Sequence, residues 1–355
     1  MEAERLTVIG VGLIGVRHAE LIHAHPMASL VALCDVDPSR RAVADRLGVP
    51  FYTSVAEMLE REQPSGVIIA TSNATHAAVA EICAARSVHL LIEKPIASTL
   101  EEARRIAETT RRAGVRVLVG HHRRHNPLVQ KTRELVRGGA LGRLTGVSVL
   151  WALRKPDAYF DVGWRRERPG GGPVLINLIH ELDSLRFICG EIEEVYARTS
   201  SAVRGLAVED SVSISLGFAN GALGTILASD ATPSAWSYEA TTGENPVYFR
   251  THENCAHFLG TAASLAFPKM ELWRYADESR QGWTEPMARS TVEVAAADPL
   301  PLQLAHFCRV IRGEETPLVD AVDGTRSLAL ALAVLESART GLPVSVSTRL
   351  LDTEL

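Results

Sequence analysis

Short apolar runs alternate with longer amphipathic segments along the first 125 residues of the chain. The apolar runs, which are rich in β-branched residues, are LTVIGVG (6–12), LVALCDV (30–36), GVIIATS (66–72), HLLIEKP (89–95) and VRVLVGH (115–121). Segments with helical periodicity lie between them, among them SVAEMLEREQ (54–63) and TLEEARRIAETTRRAG (99–114). Continuous apolar strands separated by helices are typical of a parallel sheet that is covered on both faces. The pattern therefore predicts an α/β, doubly wound domain over residues 1–124.

After a predicted helix at 126–139, apolar and polar positions alternate as in half-buried strands. These runs are LTGVSVLWALR (144–154), EEVYARTSSAV (193–203), DSVSISLGFANGALGTILASD (210–230), PVYFRT (246–251) and AASLAFPKMELWRY (262–275). Turns such as ANGA between neighbouring runs indicate antiparallel hairpins. Two helices follow at 301–313 and 323–341, and Gly341 with Pro343 ends the second. Residues 125–355 are predicted to form an α+β domain on a mostly antiparallel open sheet, with C-terminal helices that can pack back on the first domain.

Composition narrows the class of protein. The 355 residues suit two domains, and 46% apolar with 22% charged residues is typical of a globular protein. A net charge of -5 gives no reason to expect nucleic acid, and no apolar run is long enough for a membrane span. The five scattered cysteines and the absence of a signal-like N-terminus predict a reducing, cytoplasmic location. The expected partner is a small polar or anionic molecule.

Three glycines follow the first predicted strand in a G-x-G-x-x-G pattern. Gly10 permits a tight turn, Gly12 lets the backbone approach a pyrophosphate, and Gly15 allows a helix to pack closely on the strand. Asp35 lies 20 residues after Gly15, where a carboxylate accepts hydrogen bonds from ribose hydroxyls and repels a 2′-phosphate. The spacing predicts a dinucleotide site that prefers NAD to NADP, although Arg40 partly offsets the preference. The alternative is that Asp35 merely begins the turn DVDPSR.

The segment VLINLIHELDSL (174–185) predicts an amphipathic helix. At helical steps, four leucines form one stripe and His180 lies almost opposite to it. The face around His180 also carries Ile176, Asn177 and Asp183, and three glycines, 170–172, come just before the helix. This mixture indicates a pocket. The commoner explanation is an ordinary histidine, which is either exposed at the surface or has hydrogen-bond partners for its ring nitrogens.

Glu93, Lys94 and Pro95 end the fourth predicted strand, at the edge where open α/β sheets bind ligands. With VIGVGLIG, ATSNATH (70–76), EKPIA, HHRRHNP (121–127) and WRRERPGGGPVLINLIHELDSLR (164–186), the chain resembles the Gfo/Idh/MocA oxidoreductase family over nearly its whole length. The resemblance implies an NAD(P)-binding Rossmann domain, followed by a domain whose open sheet makes homo-oligomer contacts, as dimer or tetramer. It also implies a dehydrogenase that acts on a carbinol of a sugar, cyclitol or sugar acid.

The family's catalytic lysine and histidine fall on Lys94 and His180. We expect His180 to act as the base, because an imidazole titrates near neutral pH, and Lys94 to hold the substrate oxygen. Many members carry an acid four residues before the histidine, where this chain has Ile176. Asn177, three residues before, is expected to orient the substrate or the histidine, and it cannot ionise. The predicted cofactor-binding residues are Gly10, Gly12, Leu13, Ile14, Asp35, Arg40, Thr71, Ser72, Asn73, His76, Glu93, Lys94 and His122.

Two segments are expected to border a cleft between the domains and to bind substrate. HHRRH (121–125) is strongly basic, so Arg123 and Arg124 are predicted to bind an anionic substrate, or else to pair with carboxylates such as Asp157, Asp161 and Glu167. Other predicted substrate contacts are Tyr159, Trp164, Arg165, Asn177 and His180. The spacing of His252, Cys255 and His257 suits a metal but provides no fourth ligand, so no metal is predicted.

Three functions remain open at this point. The first is an NAD-dependent dehydrogenase of sugars, cyclitols or sugar acids. The second is a glycoside-cleaving enzyme that oxidises a ring carbon transiently with retained NAD. The third is a non-catalytic dinucleotide-binding sensor, which the presence of Lys94 and His180 argues against.

Overall fold

The computed structural model describes residues 2–168, 170–277 and 279–346, and the chain divides into two compact units. The first unit contains residues 2–122 and Leu300–Leu328. The second contains the described parts of Arg123–Pro299 and of the chain after residue 328. The first unit is therefore made of two separate stretches of sequence.

The first unit is built on a six-stranded sheet with the order β3-β2-β1-β4-β5-β6, in which every pairing is parallel. This order is that of a dinucleotide-binding doubly wound fold. The strands are β1 (Glu4–Ile9), β2 (Ala28–Cys34), β3 (Phe51–Tyr52), β4 (Gly66–Ile69), β5 (His89–Ile92) and β6 (Val117–Val119). Fully buried apolar residues dominate these strands, as expected when helices cover both faces.

Two of the helices of this unit begin at side-chain caps. Ser54 accepts a hydrogen bond from the backbone of Glu57, and Thr99 with Glu102 forms a complete capping box. The helices are α1 (Leu13–Ala24), α2 (Arg41–Leu47), α3 (Val55–Glu62), α4 (His76–Ala84) and α5 (Leu100–Arg112).

The C-terminal part of the chain supplies further pieces of the first unit. Helix α9 (Pro299–Arg312) buries Phe307 next to Gly66 of β4. Val119, at the end of β6, donates its backbone N–H to the carbonyl of Val319 at 2.8 Å. The following helix, α10 (Ala321–Thr340), starts in this unit and ends before Gly341, whose φ of +71° suits the predicted glycine stop.

The second unit is built on a nine-stranded sheet with the order β14-β13-β12-β11-β7-β10-β9-β8-β15. All pairings are antiparallel except that of β10 with β7, and Gly221 turns the predicted β9–β10 hairpin at a φ of +81°. The strands are β7 (Leu144–Ala152), β8 (Ile192–Ser200), β9 (Ser211–Phe218), β10 (Leu223–Ser229), β11 (Ala256–Gly260), β12 (Ser264–Phe267), β13 (Glu271–Tyr275), β14 (Met287–Thr291) and β15 (Val344–Ser345). Its helices are α6 (Pro127–Arg137), α7 (Ile179–Cys189), α8 (Tyr238–Thr242) and the end of α10. The predicted fold class is confirmed for both sheets.

The predicted strand PVYFRT is wrong. Asn245 accepts hydrogen bonds from the backbone N–H of Val247 on its side chain and from that of Tyr248 on its carbonyl, which makes a turn. Pro246 has no N–H for a ladder, and Val247 and Phe249 are largely exposed. The segment is therefore a surface loop, and its apolar residues do not reach the core.

Within the described ranges, no helix combines the length and the apolar character that crossing a bilayer requires. All five cysteines are buried free thiols.

Candidate active site

The glycine loop after β1 has the shape that its sequence predicts. Gly10 has a φ of +90°, and a Cβ there would stand 2.6 Å from the backbone of Ala70 and Thr71. A Cβ on Gly15 would collide with the carbonyl oxygen of Gly10, so helix α1 can pack on the loop only with glycine at this position. At Gly12 a Cβ would meet nothing within 4 Å, which leaves open space over the backbone. These residues fit a bound pyrophosphate.

A cleft of about 380 Å³ lies beside this loop. Helix α1 begins at Gly12 without a side-chain cap, so its first N–H groups are available to phosphate oxygens. Leu13, which follows the lining residue Gly12, is 87% exposed, and Val36, which lines the cleft, is 88% exposed. The cleft is lined by Ile9, Gly10, Gly12, Cys34, Asp35, Val36, Thr53, Val55, Ala70, Thr71, Ser72, Thr75 and Val79.

Asp35 is fixed at the end of β2 by two backbone hydrogen bonds. Its Oδ2 accepts from the N–H of Val11 at 2.6 Å, and its Oδ1 accepts from the N–H of Asp37 at 2.9 Å. Each carboxylate oxygen has a further lone pair for a ribose hydroxyl. The carboxylate therefore both braces the glycine loop and lines the cleft.

The other predicted cofactor residues lie at different distances from this cleft. Thr71 and Ser72 line it, whereas Asn73 begins the next short turn. Ile14 is partly exposed on α1 beside Leu13, and His122 is half-buried after β6. Arg40 is exposed and pairs with Asp37 at 3.5 Å, outside the cleft lining.

His76 is fully buried, and both of its ring nitrogens face backbone carbonyls. Its Nε2 lies 3.2 Å from the carbonyl oxygen of Thr71, and its Nδ1 lies 3.2 Å from that of Ile96. Burial lowers the pKa of His76, while the two carbonyl contacts oppose this change. The residue joins the loop after β4 to the loop after β5.

The carboxylate of Glu93 is also buried and is held within the first unit. Its Oε1 lies 2.7 Å from Nε2 of His18 on α1, and its Oε2 accepts from the backbone N–H of Lys94 at 3.2 Å. Burial raises the pKa of this carboxyl, but the hydrogen bond and charge of His18 outweigh burial and lower the pKa to about 2. His18 did not stand out in the sequence, since it lies 75 residues from Glu93.

These contacts place Lys94 at the functional edge of the sheet. It follows the carboxyl end of β5, is half-buried and precedes a cis peptide bond to Pro95. The glycine loop, Asp35 and Thr71 follow the carboxyl ends of β1, β2 and β4 in the same parallel sheet. Four neighbouring strands therefore direct their polar ends to one edge.

In the second unit, the helix that carries His180 begins with a widened turn. Val174–Leu178 is π-helical, and the N–H of Ile179 bonds to the carbonyl of Val174, five residues back. All of α7 is buried, including His180 at 7% exposure, so the leucine stripe and the opposite face that carries His180 are both covered. From 171 to 189, Ile176 and Asn177 are the half-buried positions.

The glycine run before this helix is closely packed. A Cβ on Gly171 would stand 2.7 Å from three backbone carbonyls of the preceding loop, and Gly172, at a φ of +89°, passes directly over the carboxylate of Glu209. Glu209 accepts a hydrogen bond from the N–H of Val174 at 3.1 Å and so caps the helix. Burial raises the pKa of Glu209. Its role could not be seen in the sequence, since it lies 35 residues from Val174.

Asn177 is held by a lysine that the sequence analysis did not select. Nζ of Lys155 donates to Oδ1 of Asn177 at 2.8 Å and pairs with Oδ2 of Asp230 at 3.1 Å. Lys155 is 7% exposed, and burial lowers its pKa, while Asp230 opposes the change. Asp230 also pairs with Arg204 at 3.1 Å.

Arg123 and Arg124 bind carboxylates of the chain itself. Arg123 is buried between Glu181 and Glu239 and stacks on the ring of Tyr238 at 3.7 Å. Arg124 grips Asp183 with two hydrogen bonds of 2.9 and 2.7 Å. The pairing alternative is therefore the one that the structure shows, although with other partners than Asp157, Asp161 and Glu167. Both arginines hold α7 in place through these pairs.

The aromatic and basic residues before the glycine run gather around Tyr159. Its half-buried ring has the guanidinium carbon of Arg165 at 4.1 Å and Nζ of Lys155 at 4.8 Å. Arg165 also donates to the carbonyl of Tyr159 at 2.9 Å. Trp164 is about half-exposed, with Arg165 at 5.8 Å from its ring.

The HENCAH segment places its side chains apart. Cys255 is buried and its Sγ lies 3.2 Å from Oγ1 of Thr241, whereas His252 and His257 are exposed. No group of three or more metal-ligating side chains occurs in the described ranges.

Two family models match the chain. The first, an oxidoreductase family with an NAD-binding Rossmann fold, matches residues 5–121, and the second, the GFO/IDH/MocA C-terminal domain, matches residues 129–266. Inositol 2-dehydrogenase of Rubrobacter xylanophilus is 32% identical over 98% of this chain and 95% of its own length. The chain belongs to the Gfo/Idh/MocA oxidoreductase family. As a member of this family it is an NAD-binding oxidoreductase.

Other Gfo/Idh/MocA relatives have different names. The 1,5-anhydro-D-fructose reductase of Ensifer adhaerens is 30% identical over 84% of this chain and 84% of its own. The WlbA dehydrogenase of Bordetella pertussis, solved in complex with NADH and UDP-GlcNAcA, is similar at a TM-score of 0.77 and 25% identity, over 97% of this chain and 99% of that one. The named relatives are thus dehydrogenases and reductases of sugars and cyclitols.

Proposed function

We propose that this protein transfers a hydride between NAD and a carbinol carbon of a sugar, cyclitol or sugar acid. The observation that carries the proposal is the position of Lys94, which follows β5 at the sheet edge where the glycine loop and Asp35 line the nucleotide cleft. A lysine at this edge is well placed for a substrate beside the nicotinamide. The names of the inositol and anhydrofructose relatives support the same substrate class.

The cofactor supplies the hydride acceptor, and the residues of the chain do the rest. Gly12 and the first N–H groups of α1 bind the pyrophosphate, and Asp35 binds the adenosine ribose. Because the carboxylate of Asp35 repels a 2′-phosphate, we expect NAD to be preferred to NADP.

In this proposal His180 accepts the hydroxyl proton of the substrate, and Lys94 donates a hydrogen bond to the same oxygen as its negative charge develops. An imidazole is suited to the first role because its pKa lies near neutral pH. The ammonium of Lys94 is suited to the second because it is a compact charge with three donors. Asn177, one turn before His180, orients the substrate.

A homo-oligomer is the proposed assembly. One face of the nine-stranded sheet exposes large apolar side chains on several strands, and such a continuous surface is typical of a protein interface. The residues are Leu223, Leu227, Leu259, Trp273 and Met287. Light scattering on the L227E variant tests this: a lower mass than that of the wild type is expected, and an unchanged mass contradicts the proposal. The five buried free thiols support a cytoplasmic location.

The experiment that tests the reaction is a substrate panel with NAD⁺, in which NADH is followed by absorbance. The panel contains polyols, aldoses, uronates and hydroxy acids. NADH released in proportion to substrate consumed is the expected result. Consumption of a glycoside without NADH release would instead identify a glycoside-cleaving enzyme. No reaction with any compound, while NAD still binds, would contradict a dehydrogenase acting on these classes.

A further inference from the structure

The contact between Lys155 and Asn177 fixes which way the asparagine amide faces. An ammonium group has only donors, so the atom that lies 2.8 Å from Nζ must be the amide oxygen. The oxygen and nitrogen of an asparagine amide are similar in size, and their positions are assigned from their hydrogen-bond partners. Here the lysine determines the assignment. The amide nitrogen therefore faces away from Lys155.

The amide nitrogen also lies at an open place on an otherwise buried element. Asn177 is half-buried in the π-helical turn Val174–Leu178, and α7 is buried throughout. In the described part of the chain, its Oδ1 takes part in the hydrogen bond to Lys155, and its Nδ2 donates to no protein atom. The two N–H groups are thus presented where a ligand can approach, one turn before His180.

Lys155 is itself held so that it cannot swing away. Asp230 pairs with its ammonium at 3.1 Å and accepts its backbone N–H on the carbonyl at 2.9 Å. Arg204 pairs with the same carboxylate, and one of its nitrogens donates to the backbone carbonyl of Lys155 at 2.9 Å. Nζ is therefore held behind the amide, and its hydrogen bond to Oδ1 polarises the N–H groups of Asn177 toward an acceptor oxygen, most strongly a charged one.

We propose that Lys155 is a positioning residue that fixes Asn177 as a hydrogen-bond donor to the substrate, and that this donor selects a carboxylate-bearing substrate over its neutral counterpart. The inference deepens the proposed function, because it rests on a substrate that binds beside His180. It assigns to Asn177 the role of a donor that recognises an acceptor oxygen. It excludes a role as a proton acceptor, since its oxygen is occupied by Lys155.

The test measures binding to the NAD⁺-loaded protein by titration calorimetry with two probes, D-glucuronate and D-glucose, which differ only at C6. The wild type is expected to bind the uronate at least about tenfold more tightly, as a hydrogen bond to a charged group provides. N177A is expected to abolish this preference, and N177D to reverse it, because a carboxylate would repel the uronate. Equal binding of both probes to the wild type, or binding of neither, overturns the inference.

A double-mutant cycle separates positioning from a structural effect. K155M should reduce the ratio of the two dissociation constants about as much as N177A does, and it should have no further effect in the N177A background. A merely structural role would weaken both probes alike and would add to the effect of N177A. K131M is the matched control, because Lys131 pairs only with Glu134 on the surface of α6. If K155M fails to fold, N177A and N177D alone decide the result.

This outcome is independent of the proposed reaction. If the substrate panel gives no NADH but N177A still removes the preference for the uronate, the donor role holds and the proposed reaction fails. If NADH forms but the wild type binds both probes alike, the reaction stands and the donor role is wrong.

Discussion

The two units hold their candidate functional residues by different means. In the first unit the nucleotide cleft is mostly backbone: Gly10, Gly12 and Gly15 shape it by having no side chains, and α1 offers its N–H groups. In the second unit the surroundings of His180 are buried side-chain pairs, such as Lys155 with Asn177 and Arg124 with Asp183. Backbone sites tolerate few residue types, whereas side-chain networks allow many combinations of partners.

This difference separates recognition of the cofactor, in the first unit, from specificity for the substrate, in the second. A glycine loop binds a pyrophosphate that is the same in every dinucleotide, so its pattern is short and local. A substrate site must match one molecule, and it does so with partners far apart in the sequence. Lys155 lies 22 residues from Asn177, and Arg124 lies 59 residues from Asp183.

The largest expected effect separates chemistry from cofactor binding. H180A and K94A should each lower kcat by roughly 10²–10⁴-fold, as expected when a proton-transferring group is lost. Both should leave the Kd for NAD nearly unchanged, because the glycine loop and Asp35 remain. Steady-state rates and fluorescence titration with NADH check the two halves of this prediction. Near-normal rates in either variant would remove that residue from the mechanism.

A smaller effect is expected at Gly12, where the absence of a side chain leaves space for the pyrophosphate. A Cβ there meets no protein atom within 4 Å, so G12A should melt at nearly the wild-type temperature. The same methyl would crowd the pyrophosphate at a cost of about 1–3 kcal/mol, or roughly 5- to 150-fold in Kd for NAD. G15A should instead lower the melting temperature, because its Cβ would collide with Gly10. G282A, in open surface, is the control. Unchanged NAD binding in G12A would contradict the assigned cleft.

Replacement of Asp35 by serine tests whether this carboxylate binds the ribose and sets the preference for NAD. D35S should weaken NAD binding about tenfold, since a hydrogen bond to a charged group is lost, and should narrow the gap between NAD and NADP. The measurement is the ratio of the two dissociation constants by fluorescence titration. Identical affinities for both cofactors in wild type and variant would mean that Asp35 only shapes the turn.

The smallest effect concerns stability and comes from the buried pairs of the second unit. Burial raises the pKa of Glu181 to about 7, with Glu239 adding to the rise and Arg123 opposing it. The folded state therefore keeps this proton to higher pH than the unfolded state, and stability falls as pH rises from about 4.5 through 7. Between pH 6 and 8 the decline should be about 1 kcal/mol, and it should be missing in E181Q. Urea unfolding at both pH values measures it, and parallel slopes in the two proteins would contradict it.

The sequence predicted the features that depend on local backbone pattern, and it did not predict those that depend on side chains far apart in the chain. The strand and helix periodicity predicted both sheets, and the glycine spacing with Asp35 predicted the nucleotide cleft, because these signals are local. The roles of His18, Lys155 and Glu209 were missed, since a buried ion pair or a cap leaves no mark until the chain is folded. The widened turn before His180 also escaped, because a regular helical wheel assumes 3.6 residues per turn.

The discontinuity of the first unit has a consequence during synthesis on the ribosome. A nascent chain that has reached residue 299 has made all six strands of the parallel sheet but not Phe307, which packs at Gly66, nor Val319, which accepts a hydrogen bond from Val119. The second unit, from Arg123 onward, emerges in the meantime. The nucleotide-binding half, although it begins first, is therefore completed only after most of the second unit has been translated, and a chain stalled at residue 299 carries its six strands without either contact.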